Sequence, residues 1–260
     1  MAKPKLKSKP IHKESIQQIS DYLSFIVPMH NEAEGIVAFV EALDTYAKKI
    51  TTHYEIILID DGSTDNGVAI IKEKLLMPSV KLLALSRNFG KEYALTAGLK
   101  HCKGQAAIVI DADFQHPFDT IPGFIKQWQD GYDMVYGLRA DRKNEGFLKR
   151  NFTRTFYRLL GMMGDVEIPR HAGDFRLIDR KVIDAINECG ENSRFMKGIY
   201  AWVGFKTTSV VYEVQDRFAG KSSWSFFKLF ELAITGIISF SDLPLRIWSL
   251  VGMLISSIAF

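Results

Sequence analysis

Two aspartates separated by one alanine, Asp111-Ala112-Asp113, stand directly after the apolar run Ala106 to Ile110. Paired carboxylates at that spacing offer hard oxygen ligands, which suit Mg2+ or Mn2+ bridged to a diphosphate. A D-x-D pair alone is also an ordinary turn, so its weight depends on its surroundings. A second acidic turn, Asp60-Asp61-Gly62-Ser63, ends the β-branched run Glu55 to Ile59. Pro28, Asn31 and Glu32 follow a run from Ser24 to Val27, and Ser86 to Lys91 follows a run from Val80 to Leu85. No GxGxxG follows the first run and no GxxxxGK[ST] occurs, so the glycine cradles of dinucleotide-binding and P-loop proteins are missing. Another device must hold any phosphates.

The elements that would position these residues alternate in kind. Between the apolar runs, Ile36, Val40, Leu43, Ala47 and Ile50 recur at helical spacing, as do Val68, Ile71 and Leu75, and Lys91 to His101 forms a third helical stretch. Asn31, with Glu34 three residues on, predicts a capping-box start for the first helix. The order β-α-β-α-β-α-β with apolar strands implies a parallel sheet covered on both faces. Ligands of such sheets bind beyond the carboxyl ends of the strands, which here carry PMHNE, DDGS, SRNFGK and DADFQH. Further along, the pattern predicts helices at Asp119 to Gln129, Phe147 to Met163 and Asp179 to Asn187, and strands at Met134 to Tyr136 and Thr207 to Val214. The stretch Arg170 to Arg176 reads as a loop and short strand.

Composition excludes several classes. The chain of 260 residues is 47% hydrophobic and 24% charged, the balance of a folded domain. Its net charge of +3 is too small for a nucleic-acid protein without a concentrated patch. Two cysteines, Cys102 and Cys189, exclude a disulfide scaffold, and six scattered histidines with no HxxxH or CxxC spacing argue against zinc. The lysine-rich start has no apolar run behind it, so it reads as a solvated arm rather than a secretory signal. Trp224 to Phe240 is apolar apart from Lys228 and Glu231 and predicts a helix in the membrane interface, with an ordinary buried helix as the alternative. Ile247 to Phe260 is uncharged; since a span needs about 20 apolar residues, it predicts the first part of a transmembrane helix.

Taken in order, SFIVPMHNE, IDDGSTDNG, RNFGKEYALTAGL, DADFQHP, GDFRLIDR and RFAGKSSWS resemble glycosyltransferase family 2, and in particular its polyisoprenyl-phosphate branch, over about Ser24 to Phe260. That resemblance implies an α/β fold: a GT-A-type nucleotide-sugar-binding domain with a mostly parallel sheet, followed by interfacial and transmembrane helices. The implied division is a basic arm at 1–22, a catalytic domain at 23–223, an interfacial helix at 224–242 and the start of a transmembrane helix at 243–260. Carried over residue by residue, Pro28, Asn31 and Glu32 match the first nucleotide-contacting loop, and Asp60 and Asp61 match the aspartates that recognise base and ribose. Asp111 and Asp113 match the metal and diphosphate carboxylates, with Gln115 as third ligand. Arg139, Arg217 and Lys221 match basic residues of the donor and acceptor phosphate site, and Asp174 matches the position of the base; Lys91 is a donor-binding candidate by its own place after the SRNFG turn. Where many members follow the serine of the last motif with lysine, Ser222 is followed here by Ser223 and Trp224.

The resemblance further implies inverting transfer of one sugar, because the QxxRW signature of processive synthases is absent. The implied partners are a nucleoside diphosphate sugar, UDP- or GDP-linked, a polyisoprenyl phosphate and the membrane, with Mg2+ or Mn2+ as cofactor and room for a homo-oligomer. The catalytic domain is expected on the cytoplasmic face. Read as bare residues, several candidates have plainer roles. Asp60 could cap a helix, Arg139 and Arg142 could be solvated charges, Lys91 could be an exposed helix start, and His116 reads as a turn residue before Pro117. Transfer to a non-lipid acceptor, and a silent nucleotide-sugar-binding scaffold, are the rival functions.

Overall fold

The computed structural model describes residues 18–140, 172–190, 194–215 and 243–259. These fall into two compact units, one comprising 18–140, 172–190 and 205–215, the other 194–204 and 243–259.

The first unit opens with β1 (Leu23–Met29), α1 (Ile36–Ile50), β2 (Tyr54–Asp60), α2 (Gly67–Lys74), β3 (Val80–Ala84), α3 (Lys91–His101) and β4 (Ala106–Val109). A 3-10 turn at Phe118–Thr120 leads into α4 (Ile121–Gln129), followed by β5 (Met134–Arg139), β6 (Ala172–Asp179), α5 (Arg180–Glu188) and, after the residues of the second unit, β7 (Thr207–Tyr212). One sheet holds all seven strands in the order β3-β2-β1-β4-β6-β5-β7. β1 to β4 pair in parallel, and β5 and β7 do too; β6 alone runs antiparallel, wedged between β4 and β5. The sheet is therefore mostly parallel, as its apolar strands imply.

β1 is buried along its whole length because it lies in the middle of the sheet with helices on both faces. Phe25, Val27, Leu58 and Ile108 join Phe39, Val40, Leu43 and Ala47 of α1 in one core. Each of these side chains other than Ala47 contributes about 1.5–3 kcal/mol by leaving water. On the opposite face α3 lies close to the sheet: a Cβ on Gly98 would come within 2.5 Å of the Ile26 side chain and 2.9 Å of Ile59. Pro28 is tolerated in this central strand because β4 ends at Val109, paired with Ile26, leaving no ladder partner for the missing N–H.

Three expectations change. Asn31 does not cap α1, which begins at Ile36 after Gly35 and has no side-chain cap. Asn31 instead adopts φ 57° and serves a neighbouring loop, an alternative that a short amide side chain makes accessible. Of the Arg170 to Arg176 stretch, expected as a loop and short strand, the described residues from Ala172 on belong to a longer element, the eight-residue strand β6 in mid-sheet. Its polar Asp174 and Arg176 obscure a strand that also carries the fully buried Phe175, Leu177 and Ile178. α5 begins at Arg180, with Asp179 as its cap accepting from the Lys181 N–H.

The second unit contains α6 (Met196–Trp202) and α7 (Leu243–Ala259). α7 exposes a series of large apolar side chains, among them Trp248 at 72%, Met253, Leu254 and Ile258 at 78%. Among the described residues, no helix is long and apolar enough to cross a membrane. The helices expected at Phe147 to Met163 and Trp224 to Phe240 lie outside the described residues.

Candidate active site

The carboxyl ends of β1, β2, β3 and β4 meet at one rim, and side chains from the loops after them hold one another. Asn31, after β1, donates its N–H to Ser63 Oγ at 2.9 Å. Its amide oxygen accepts from the N–H of Thr64 at 2.8 Å and of Asp65 at 3.3 Å. Asp65 answers by accepting from the Ala33 N–H at 3.0 Å. His30 ties the same loops to the third: Nδ1 lies 3.0 Å from the Asp61 carbonyl oxygen and Nε2 lies 3.1 Å from the Asn88 amide nitrogen.

The acidic turn after β2 is built from its own carboxylates. Asp60, 3% exposed, accepts from the Ser63 N–H at 3.3 Å, so it secures the turn itself rather than capping α2, which starts at Gly67. Asp61, 5% exposed, accepts from the N–H groups of Phe89 at 2.8 Å and Gly90 at 2.9 Å. The DDGS turn thus anchors the loop that delivers Lys91. Gly62 makes the stacking possible, with φ at +64° and a hypothetical Cβ 2.3 Å from the Arg87 carbonyl carbon and 2.4 Å from the Asn88 nitrogen. Gly62→Ala is accordingly expected to cost about 2 kcal/mol or more, read as a lower midpoint of chemical denaturation, and to weaken nucleotide binding. An unchanged midpoint would show that the two loops can separate freely.

At the centre stands Lys91, the first residue of α3. Its ammonium lies 2.6 Å from Asp111 Oδ1, just beyond β4, and 2.8 Å from Asp174 Oδ2 on β6. All three side chains are partly buried. Burial penalises the charged form of Lys91, but attraction and hydrogen bonds from both carboxylates outweigh it and hold the ammonium above the ordinary lysine range. Burial also opposes the Asp111 carboxylate, and Lys91, then His116, overcome it, keeping Asp111 well below the usual range.

Asp113 accepts from the Gln115 N–H at 3.1 Å, closing a turn in which Phe114 takes φ 60°. A bulky residue is strained there, and the ring is held by an edge contact to Phe39 of the core and a tilted contact to Phe118. Asp113 and Gln115 thus share one turn, two and four residues after Asp111. Among the described residues no three His, Cys, Asp or Glu side chains group into a metal cage. The ammonium already seated on Asp111 shows that the position favours positive charge.

His116 is the residue that sequence reading missed. It is 3% exposed, its Nε2 lies 3.4 Å from Asp111 Oδ2, and its ring stacks on Phe175 at 4.8 Å between centroids. Tyr212 meets the ring edge-on at 5.5 Å and lies against Phe175 as well. The available signal was its place five residues after Asp111, which by itself also suits a turn. Arg139, at the end of β5, is held by its Nε–H donating to Tyr212 Oη at 3.2 Å, so it is no free surface charge. Burial raises the Tyr212 phenol against the opposing pull of Arg139. Arg217, Lys221 and Arg142 lie outside the described residues.

Residues 24–186 match the domain described as glycosyl transferase family 2. The chain belongs to that family. Sequence relatives agree. A glycosyltransferase of Synechocystis sp. (strain ATCC 27184 / PCC 6803 / Kazusa) is 41% identical over 235 residues, covering 90% of this chain and 74% of that protein. A prophage bactoprenol glucosyl transferase homologue of Escherichia coli (strain K12) is 43% identical over 239 residues, covering 92% and 78%. This family 2 chain is a glycosyltransferase, and its α/β architecture is GT-A-like. Glucosyl-3-phosphoglycerate synthase from Mycobacterium tuberculosis, solved with Mn2+, uridine diphosphate and glucosyl-3-phosphoglycerate, shares the fold with a TM-score of 0.56 at 15% identity, over 84% of this chain and 79% of that one.

Proposed function

We propose that this family 2 glycosyltransferase moves a single hexose, with inversion, from a nucleoside diphosphate sugar to a polyisoprenyl phosphate at the cytoplasmic face of a membrane. The observation that carries this is the convergence of Asp111, Lys91 and Asp174 at one point of the strand-end rim, where a donor diphosphate and an anionic acceptor would meet. The names of the sequence relatives support a polyprenyl phosphate acceptor and make glucose the first sugar to test. The exposed apolar side chains of α7 support attachment to a bilayer, since a patch of that kind is seldom left to water.

Asp111 and Asp113, with Gln115, would hold Mg2+ or Mn2+. When bound, the cation offsets negative charge on the departing diphosphate. Pro28 and Asp60, at the ends of β1 and β2, and Asn31, Glu32 and Asp61, in the loops that follow, form the surface against which base and ribose would lie. In the reaction an acceptor phosphate oxygen attacks the anomeric carbon, the new carbon–oxygen bond forms, and the bond to the donor β-phosphate breaks with its electron pair leaving on that phosphate. The displacement inverts the anomeric centre. A phosphate monoester has its second pKa near ~6, so at neutral pH it is largely a ready nucleophile. Asp174 is then needed more to orient it, or to take its last proton, than to generate it. Arg139, Arg217 and Lys221 would screen the approach of two anions.

The deciding experiment incubates the full chain in lipid vesicles with labelled UDP- and GDP-sugars, Mg2+ or Mn2+, and a polyprenyl phosphate. Label passing into the organic phase is the expected result. Label retained in water on a small or protein acceptor would overturn the lipid acceptor, and nucleotide binding without any transfer would favour a scaffold.

A further inference from the structure

Lys91 occupies a position that needs a reason. It is the first residue of the eleven-residue helix α3, where the helix dipole disfavours a cation. The preceding backbone is fixed by Asp61 through the Phe89 and Gly90 N–H groups, so the lysine is aimed and not merely tolerated. Its ammonium sits 2.6 Å from one oxygen of Asp111 and 2.8 Å from Asp174, bridging the end of β4 to mid-sheet β6. A divalent cation on Asp111 would have to share that carboxylate with an existing positive charge.

We propose that Lys91 is a resident counter-cation which keeps bare divalent metal off Asp111 and admits it together with the donor diphosphate. The physics is a matter of net charge. A bare dication approaching Asp111 is repelled by the ammonium and competes with it for the same oxygen. A metal–nucleotide-sugar complex is close to neutral, because the diphosphate cancels the dication, and the displaced ammonium gains a new anionic partner in the diphosphate itself. Lys91 therefore couples metal and nucleotide: each strengthens the other, by the same factor in both directions. It also remains within reach of Asp174, so that donor binding loosens the contact between Lys91 and the carboxylate assigned to the acceptor.

This rests on the assignment of Asp111 as a metal ligand, and its test separates the two. Mn2+ alone is titrated against the full chain, with bound metal followed by electron paramagnetic resonance, and the titration is repeated with saturating UDP-glucose. Lys91→Met and Lys91→Gln, both neutral, are expected to bind bare Mn2+ about tenfold more tightly than the parent, whereas the gain from added nucleotide shrinks. Lys91→Arg, which keeps the charge, is expected to stay as weak as the parent. Thermal unfolding establishes that each variant is folded, and either neutral variant suffices. Unchanged or weaker bare-metal binding in a folded neutral variant overturns the proposal, as does an arginine variant that binds as tightly as the neutral ones. If Asp111→Asn binds Mn2+ as well as the parent, the metal assignment itself fails, and with it the role given to Lys91.

Discussion

Asp111→Asn is expected to lower sugar transfer by about a thousandfold, with Asp113→Asn close behind. The substitution removes the charge of a carboxylate that Lys91 and His116 hold fully ionised. The side chain keeps nearly the same size and so still fills its place beside Lys91 and His116, with a modest loss of thermal stability expected from the lost ion pair. The loss belongs to the leaving group: without the second anionic ligand, charge on the departing diphosphate is poorly stabilised. Steady-state kinetics at increasing Mn2+, together with nucleotide binding, measure it. The parent should be silenced by EDTA, and full activity of either variant in EDTA would remove the metal from the reaction.

Asp174→Asn is expected to reduce turnover by about a hundredfold while donor affinity holds. The sign of the pH dependence follows from the acceptor. Below its second pKa, near ~6, the phosphate monoester keeps a proton that a carboxylate can accept; above it the dianion needs none. The defect should therefore be greatest near pH 6 and shrink toward pH 8 if Asp174 is a base. The structure adds a competing role, because Asp174 is one of two carboxylates on the Lys91 ammonium. If holding Lys91 is all it does, metal and donor affinity should fall along with turnover, with no recovery at higher pH. Measuring kcat and KM for donor and acceptor across that range separates the two, and a variant with unaltered turnover throughout excludes both.

Much of the rim could be read from the chain alone because parallel strands leave a plain record. Buried on both faces, β1, β2 and β4 are nearly continuous apolar runs, and whatever follows each run lands at the same end of the sheet. That periodicity placed α3 at Lys91–His101 and put Asp60, Asp61, Lys91, Asp111 and Asp113 on one edge. The resemblance of six ordered motifs supplied the family, which residues 24–186 bear out.

Tertiary structure decided what local pattern cannot encode. β6 is hidden from periodicity because Asp174 and Arg176 interrupt its apolar residues, and only its antiparallel insertion between β4 and β5 brings Asp174 within 2.8 Å of Lys91, 83 positions earlier in the chain. The Asn31 amide suits a helix cap, yet in the fold its oxygen accepts from the N–H groups of Thr64 and Asp65 in the loop after β2. His116 looked like a turn residue until Phe175 and Tyr212, from two other strands, enclosed its ring behind Asp111. Sequence by itself thus determined which groups stand at the strand ends, since alternation and burial are local properties. Which of those groups touch was left to the order of strands in the sheet, because a contact between distant positions depends on how the whole chain packs.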